Sequence, residues 1–280
     1  MTGGRLVIVA TPIGNLGDLS PRAVATLAEA DAIVCEDTRR TGRLLEHAGV
    51  RSKRLIVANE HREAAATAVV RRLLDGGATI ALVSDAGTPG ISDPGERLVR
   101  MAVDNGHEVL AVPGPVAAVA ALVVSGLPTA RFVMEGFLPR RGRERTEALE
   151  RLVGEPRTMV LYEAPHRLGR TLADLAATLG PDRYLAIARE LTKLHEEVWR
   201  GTIGQAVERA AAVEPRGEYV LVVTGASSTE PTDDDIVTAL KACEAAGADR
   251  KQAVAQVTRD LGVAKRRVYD LAHGPRTGHV

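Results

Sequence analysis

The chain has 280 residues, enough for one large domain or two modest ones and for a sizeable buried core. It is 45% hydrophobic and 26% charged, which excludes a disordered chain. Its 36 basic residues balance 36 acidic ones, so any nucleic-acid binding must use local patches, and with 2% aromatic residues a base-stacking sheet is disfavoured.

The residues from Met1 to Gly14 hold too short an apolar run for a secretory segment. Apolar runs at Leu6–Ala10, Ala32–Cys35, Leu55–Ala58, Ile80–Val83 and Val109–Val112 predict strands covered on both faces. Helical patterns alternate with them over Pro21–Ala30, Thr38–Ala48, Arg62–Leu74 and Pro94–Asn105. Ser20 before Pro21, and Asp93 before Pro94, are read as N-caps with a proline in the first turn. This alternation predicts an open, mostly parallel α/β sheet. The apolar stretch Val116–Val124 falls short of the ~18–20 residues that cross a bilayer.

A domain boundary is placed near Pro128. Beyond it, strands are expected at Arg131–Phe137, Thr158–Glu163, Tyr184–Ala188, Glu196–Gly201 and Tyr219–Thr224. Helices are expected at Arg143–Val153, Pro165–Leu179 and Ile203–Val213. The close succession of strands after Ala188 predicts a mixed sheet. From Gly225 the chain turns polar, and three helical patterns follow, at Asp233–Ala246, Arg250–Leu261 and Ala264–Ala272. The second and third, joined through Gly262, resemble a helix-turn-helix, with Lys265, Arg266 and Arg267 opening the last helix. Nucleic-acid binding and a packing or dimerisation role both fit this tail.

Open α/β sheets bind ligands beyond the carboxyl ends of their strands. The loops there are Thr11–Asp18, Glu36–Thr38, Asn59–His61, Ser84–Gly95 and Pro113–Pro115. Ser84–Gly95 carries three glycines and two prolines. Its backbone N–H groups can take a carboxylate and Asp85 an ammonium, which suits the amino-acid end of a cofactor; a turn-rich connector is the plain alternative. Glu36, Asp37, Glu60, His61 and Asp85 read either as an acidic cluster for general-base work or as acids at helix starts. Cys35 and Cys243 make no CxxC and no disulfide framework, Cys35 reads as core, and no metal site is expected. Arg140, Arg141, Arg143 and Arg145 form a basic run that suits phosphate or a solvated helix start. GxGxxG after the first strand, GxxxxGK[ST], HExxH and GxSxG are all missing, which disfavours dinucleotide, P-loop, metalloprotease and α/β-hydrolase readings.

Several segments carry a resemblance: TPIGNLGDLSPRA within Leu6–Leu27, Cys35–Arg39, Ser84–Gly95, Val112–Pro115, Gly136–Pro139, Tyr162–Arg167 and Ala188–Lys193. Through them, residues 5–225 resemble the ribosomal RNA small subunit methyltransferase I family. Its members 2′-O-methylate a decoding-centre cytidine of 16S rRNA and belong to the tetrapyrrole-methylase superfamily, the class III S-adenosylmethionine methyltransferases. The resemblance implies two α/β domains, 1–128 and 129–225, followed by the helical tail 226–280. It implies S-adenosylmethionine between the domains, a cytoplasmic homodimer, and 16S rRNA in the small ribosomal subunit as partner. Ser84, Asp85, Ala86, Gly87, Pro113 and Gly114 would line the cofactor pocket from the first domain, and Tyr162, Glu163, Leu191 and Thr192 from the second.

Methyl transfer to a hydroxyl calls for a base, with Glu60, His61, Asp85 and Glu163 as candidates; Lys193 is a candidate for stabilising the developing oxyanion. Arg62 and Val116 depart from the family pattern, which usually has asparagine and serine there. One rival reading is a tetrapyrrole methyltransferase, disfavoured by the basic run and the tail. Another is a non-catalytic nucleic-acid-binding protein, disfavoured by the intact cofactor loops.

Overall fold

The computed structural model describes residues 3–51, 53–58, 62–226 and 231–273. The expected alternation is present from the start of the chain. Strands β1 (Arg5–Val9), β2 (Ala32–Cys35), β3 (Arg54–Val57), β4 (Thr79–Leu82) and β5 (Glu108–Val112) form one sheet in the order β3-β2-β4-β1-β5. Every pairing in it is parallel. All four residues of β2 are buried, as strands covered by helices on both faces require.

The helices between these strands are α1 (Pro21–Glu29), α2 (Thr38–His47), α3 (Glu63–Asp75) and α4 (Glu96–Asp104). Ser20 caps α1 as predicted, accepting from the Ala23 N–H, and Asp37 caps α2 by accepting from the Arg39 N–H. One expectation needs correction. Helix α4 starts at Glu96 with Gly95 as its N-cap, so Asp93 is not a cap. The stretch Val116–Val124, expected only to fall short of a membrane span, forms most of helix α5 (Ala117–Ser125). That helix is apolar on nearly every face and shows no 3.6-residue alternation, so periodicity could not reveal it. It buries Ala118, Ala121 and Leu122 against Val160, Ala188 and Val220 of the second sheet.

The second sheet is mixed, as predicted. It contains β6 (Phe132–Phe137), β7 (Thr158–Glu163), β8 (Tyr184–Arg189), β9 (Glu197–Thr202) and β10 (Tyr219–Val223), in the order β6-β7-β10-β8-β9. Only β6 and β7 run parallel. All five residues of β10, the central strand, are buried. Helices α6 (Gly142–Val153), α7 (Pro165–Leu179) and α8 (Ile203–Ala212) supply the other face of its core, with Leu152, Leu172 and Leu175 against Met159, Leu161 and Leu221.

Residues 1–225 form one compact unit that includes both sheets, and residues 226–280 form another. The second unit holds α9 (Asp233–Ala245), α10 (Arg250–Leu261) and α11 (Lys265–His273) around Ile236, Leu240, Val254, Val257 and Val268. Capping boxes start α9 at Thr232 and α10 at Asp249, and left-handed Gly262 ends α10. Among the described residues, no helix is long and apolar enough to cross a membrane.

Candidate active site

The loops after β1, β4 and β5 are stitched together. Thr11 and Gly87 exchange backbone hydrogen bonds of 2.8 and 3.1 Å, and the Thr11 hydroxyl donates to the Ser84 carbonyl. The Ser84 hydroxyl is turned back to the Gly87 carbonyl at 3.2 Å, and the Thr88 hydroxyl donates to the Pro115 carbonyl. Four residues of the Ser84–Gly95 loop, Gly87, Gly90, Ser92 and Gly95, have positive φ. At Gly87 (φ +88°) a Cβ would also press on Ile13 Cγ2 at 3.3 Å, so backbone strain and space both demand glycine.

On the other side, the loop from β8 to β9 bends through left-handed Glu190 and Thr192. It meets the β1 loop closely: the Asn15 N–H donates to Thr192 Oγ1 at 3.1 Å. A Cβ on Gly14 would lie 2.4 Å from Lys193 Cγ. The ends of the two sheets are thus held face to face inside the first unit.

A cavity of about 410 Å³ lies between them. Ala86, Gly87 and Thr88 line one side; Tyr162, Ala188, Leu191 and Val220 line the other. Its size and mostly apolar walls suit a small-molecule cofactor. A second cavity of about 350 Å³ adjoins it, sharing Ile13, Ala86, Lys193 and Glu218. The second is bounded by Thr11–Gly14, Ser84, Asp85, Arg40 and Arg43.

Of the residues proposed from sequence to contact the cofactor, Ala86, Gly87, Tyr162, Glu163 and Leu191 line the larger cavity. Ser84 and Asp85 line the smaller one. Pro113, Gly114 and Thr192 line neither. Gly114 packs under the end of β1, where a Cβ would come within 2.8 Å of Ala10 Cβ. Thr192 braces the β1 loop through Asn15.

Sequence reasoning missed Asp93, which lines the larger cavity. The Asp-Pro pair has the pattern of a helix start. The two glycines just upstream, Gly87 and Gly90, are the sign that the chain turns again before the helix.

Three carboxyls surround this loop. Burial raises the pKa of each; for Asp93 it reaches about 6, helped by the neighbouring charge of Glu36 and partly offset by the Ser84 hydroxyl. Glu36 accepts from the Asp85 N–H at 3.0 Å, Asp85 pairs with Arg40 at 3.4 Å, and Asp85 Oδ1 is buried with no hydrogen-bond partner among the described residues. Raised carboxyl pKa values mark a site whose field favours an incoming cation.

Of the candidates for the base, Glu60 and His61 lie outside the described residues. Glu163 is only 1% exposed in its side chain and fully engaged. It accepts from the Ala164 N–H and the Thr171 hydroxyl and pairs with Arg167 at 3.2 Å. These three partners tie it to the β7–α7 junction and make it a poorer candidate for the base than an acid with a more accessible carboxyl. Lys193 stands where the two cavities meet. Burial lowers its pKa, but ion pairs with Glu218 (2.7 Å) and Glu190 (2.9 Å) outweigh that and raise it, so it is a cation at neutral pH.

The basic residues separate into two kinds. Arg140, Arg141 and Arg143 are exposed, Arg143 pairing with Glu147. Arg145 corrects the expectation of a phosphate contact. It is 3% exposed, and it donates to Asp174, Thr171 and the Pro139 carbonyl, so it is a buried structural hub. In the tail, Lys265 and Arg266 are exposed, whereas Arg267 folds back onto Asp233 and the Pro231 carbonyl.

Two sheets meeting at a mostly apolar cavity, with glycine-rich turns and carboxyls of raised pKa, define an α/β protein with a small-molecule site between its sheets. Residues 5–207 match the family model of Tetrapyrrole (Corrin/Porphyrin) Methylases. A solved uroporphyrin-III C-methyltransferase from Thermus thermophilus, complexed with S-adenyl homocysteine, shares this fold with a TM-score of 0.56 at 17% identity, covering 79% of this chain and 97% of that one.

The ribosomal RNA small subunit methyltransferase I of Synechocystis is 46% identical over 96% of this chain and 97% of its own length. That of Halalkalibacterium halodurans is 45% identical over 96% and 95%. The chain belongs to the ribosomal RNA small subunit methyltransferase I family, within the tetrapyrrole methylases.

Proposed function

We propose that the protein transfers a methyl group from S-adenosylmethionine to the ribose 2′-hydroxyl of a cytidine in the 16S rRNA of the small ribosomal subunit. The observation that carries this reading is the pair of adjoining cavities that share Lys193, one for a cofactor and one for the reacting nucleoside, in a chain of this family. The residues fit the cofactor. The larger cavity combines apolar walls for an adenosine with Asp93 for a cationic end, and Gly87 keeps its wall free of a side chain. When bound, S-adenosylmethionine supplies an electrophilic methyl carbon on a sulfonium.

The protein's own part is alignment and charge. The Ala86–Thr88 wall and Leu191 hold the donor side, while Asp85 and Lys193 face the acceptor side. Transfer to the ribose oxygen would release the hydroxyl proton, which a residue of this chain must accept. Asp85 lines the smaller cavity with a side chain a quarter exposed and serves as the base. Lys193, charged at neutral pH, stabilises the oxygen as it becomes anionic.

The exposed residues Arg140, Arg141, Arg143, Lys265 and Arg266 meet rRNA phosphates. The proposal includes a cytoplasmic homodimer formed through the apolar surface of α5, where Val123 is 68% and Val119 46% exposed.

The test is transfer of labelled methyl to small subunits lacking the modification, with nucleoside analysis. A single new 2′-O-methylcytidine is expected. Absence of incorporation, or methylation of a uroporphyrin-type substrate instead, overturns the reading.

A further inference from the structure

A third hollow adjoins the smaller cavity. It has a volume of about 520 Å³ and is lined by Asp37, Arg39, Arg40 and Arg43. Arg40 and Arg43 also line the smaller cavity, which in turn shares Lys193 with the cofactor cavity. All three arginines project from the first turns of α2, where residues four apart share a face and stand about 6 Å apart along the axis. Arg39 is 87% and Arg40 56% exposed in the side chain, and Arg43 is exposed.

Their present partners are unequal. Arg39 closes a two-pronged pair on Asp37, its own helix cap. Arg40 holds Asp85 at 3.4 Å. Arg43 has no ion pair or side-chain hydrogen bond among the described residues. Packing does not explain a free guanidinium here: the residues of α2 that enter the core are Thr41 and Leu45.

We propose that the smaller cavity takes one nucleoside drawn out of a single-stranded RNA segment, and that Arg43, with Arg39, binds the phosphates flanking it at the mouth. This rests on the RNA reading above. Arg40 has a different task, positioning Asp85. The chemistry is complementary throughout: guanidinium groups at the rim match phosphodiesters. Pro12, Ile13 and Leu44 in the wall offer aliphatic contact to a base face in a chain with few aromatics. Lys193 stands at the inner end to meet the ribose oxygen. A nucleoside must leave its stack for its sugar to be reached in this way.

The experiment compares wild type, Arg43→Ala, Arg39→Ala/Arg43→Ala and Arg43→Lys. KM and kcat are measured on unmodified small subunits at several salt concentrations, and S-adenosylmethionine affinity is measured by calorimetry. Removing one charge-assisted hydrogen bond at an exposed site predicts a KM raised about tenfold for Arg43→Ala. The salt dependence of log KM should flatten by about 0.7 for each single-strand phosphate that is no longer neutralised. Cofactor affinity stays within about twofold, and Arg43→Lys recovers part of the loss.

Unchanged KM and salt slope in the double variant overturn the proposal, as does a fall in cofactor affinity that matches the rise in KM. A photoreactive side chain placed at position 43 should cross-link to rRNA, and cross-linking to a ribosomal protein instead also overturns it. If the wild type transfers no methyl to subunits, the functional reading itself has failed. Active wild type with indifferent arginine variants refutes this inference alone.

Discussion

Asp93→Asn should make the protein more stable and worse at binding its cofactor. The Asp93 pKa rises from 3.8 in an open chain to about 6 in the fold, because burial and the nearby charge of Glu36 disfavour the carboxylate. Between pH 4 and 6 the unfolded chain has lost this proton while the folded chain keeps it. The folded state therefore binds more protons, and stability falls as pH rises through that window. A rise of that size corresponds to ~3 kcal/mol at pH 7.5. The side chain is only partly buried, so solvent screening reduces this to ~1–1.5 kcal/mol.

Asparagine carries no charge and escapes the penalty. Urea unfolding at pH 7.5 should show a higher midpoint for the variant at unchanged slope, and the difference should vanish near pH 4, where Asp93 is largely protonated in the fold and the penalty is absent. Calorimetric titration with S-adenosylmethionine should show about tenfold weaker binding, as expected when one charge-assisted hydrogen bond is removed. Wild-type affinity should itself decline as pH falls through about 6, and the variant's should not. Equal midpoints at pH 7.5, or a difference that persists at pH 4, would refute the electrostatic argument.

Three other substitutions probe neighbouring parts of the site. Gly87→Ala forces a Cβ onto a φ of +88° and against Ile13, so it should cost ~1–2 kcal/mol in thermal unfolding and weaken cofactor binding; an unchanged melting temperature would show that the turn can relax. Arg145→Ala leaves Thr171 and Asp174 without their buried donor and should destabilise by ~3 kcal/mol, while rRNA affinity of the folded fraction stays as in wild type; a stable variant with weak rRNA binding would restore a phosphate role. Lys193→Met should lower kcat roughly ten- to a hundredfold with cofactor affinity kept, and Lys193→Arg should recover part of it; unchanged kcat would remove Lys193 from the chemistry.

What could be seen in the sequence follows from how far each signal reaches. The inner parallel strands were legible because a strand covered on both faces must be apolar throughout, as β2 is, whereas edge strand β5 buries only Val112. The loops were legible because sharp turns need glycine, as at Gly87 and Gly90. Helix α5 stayed hidden because a helix apolar on nearly every face has no period to read. Arg145 and Arg143 sit two residues apart on one helix in the same charged run. One is locked to Asp174 and the other faces solvent, and only partners 26 and 29 residues away decide between them.

Asp85 and Asp93 make the same point within a single loop. Both are acids beside small residues at the end of β4, and local pattern favours the first for the cofactor. The left-handed residues Gly87, Gly90 and Ser92 turn the chain back between them, so that Asp93 reaches the larger cavity while Asp85 stays with Arg40 on the smaller one. Composition therefore marks the loop as a site. The order of φ signs within the loop sets which cavity each carboxyl lines, so one short segment contributes an acid to both.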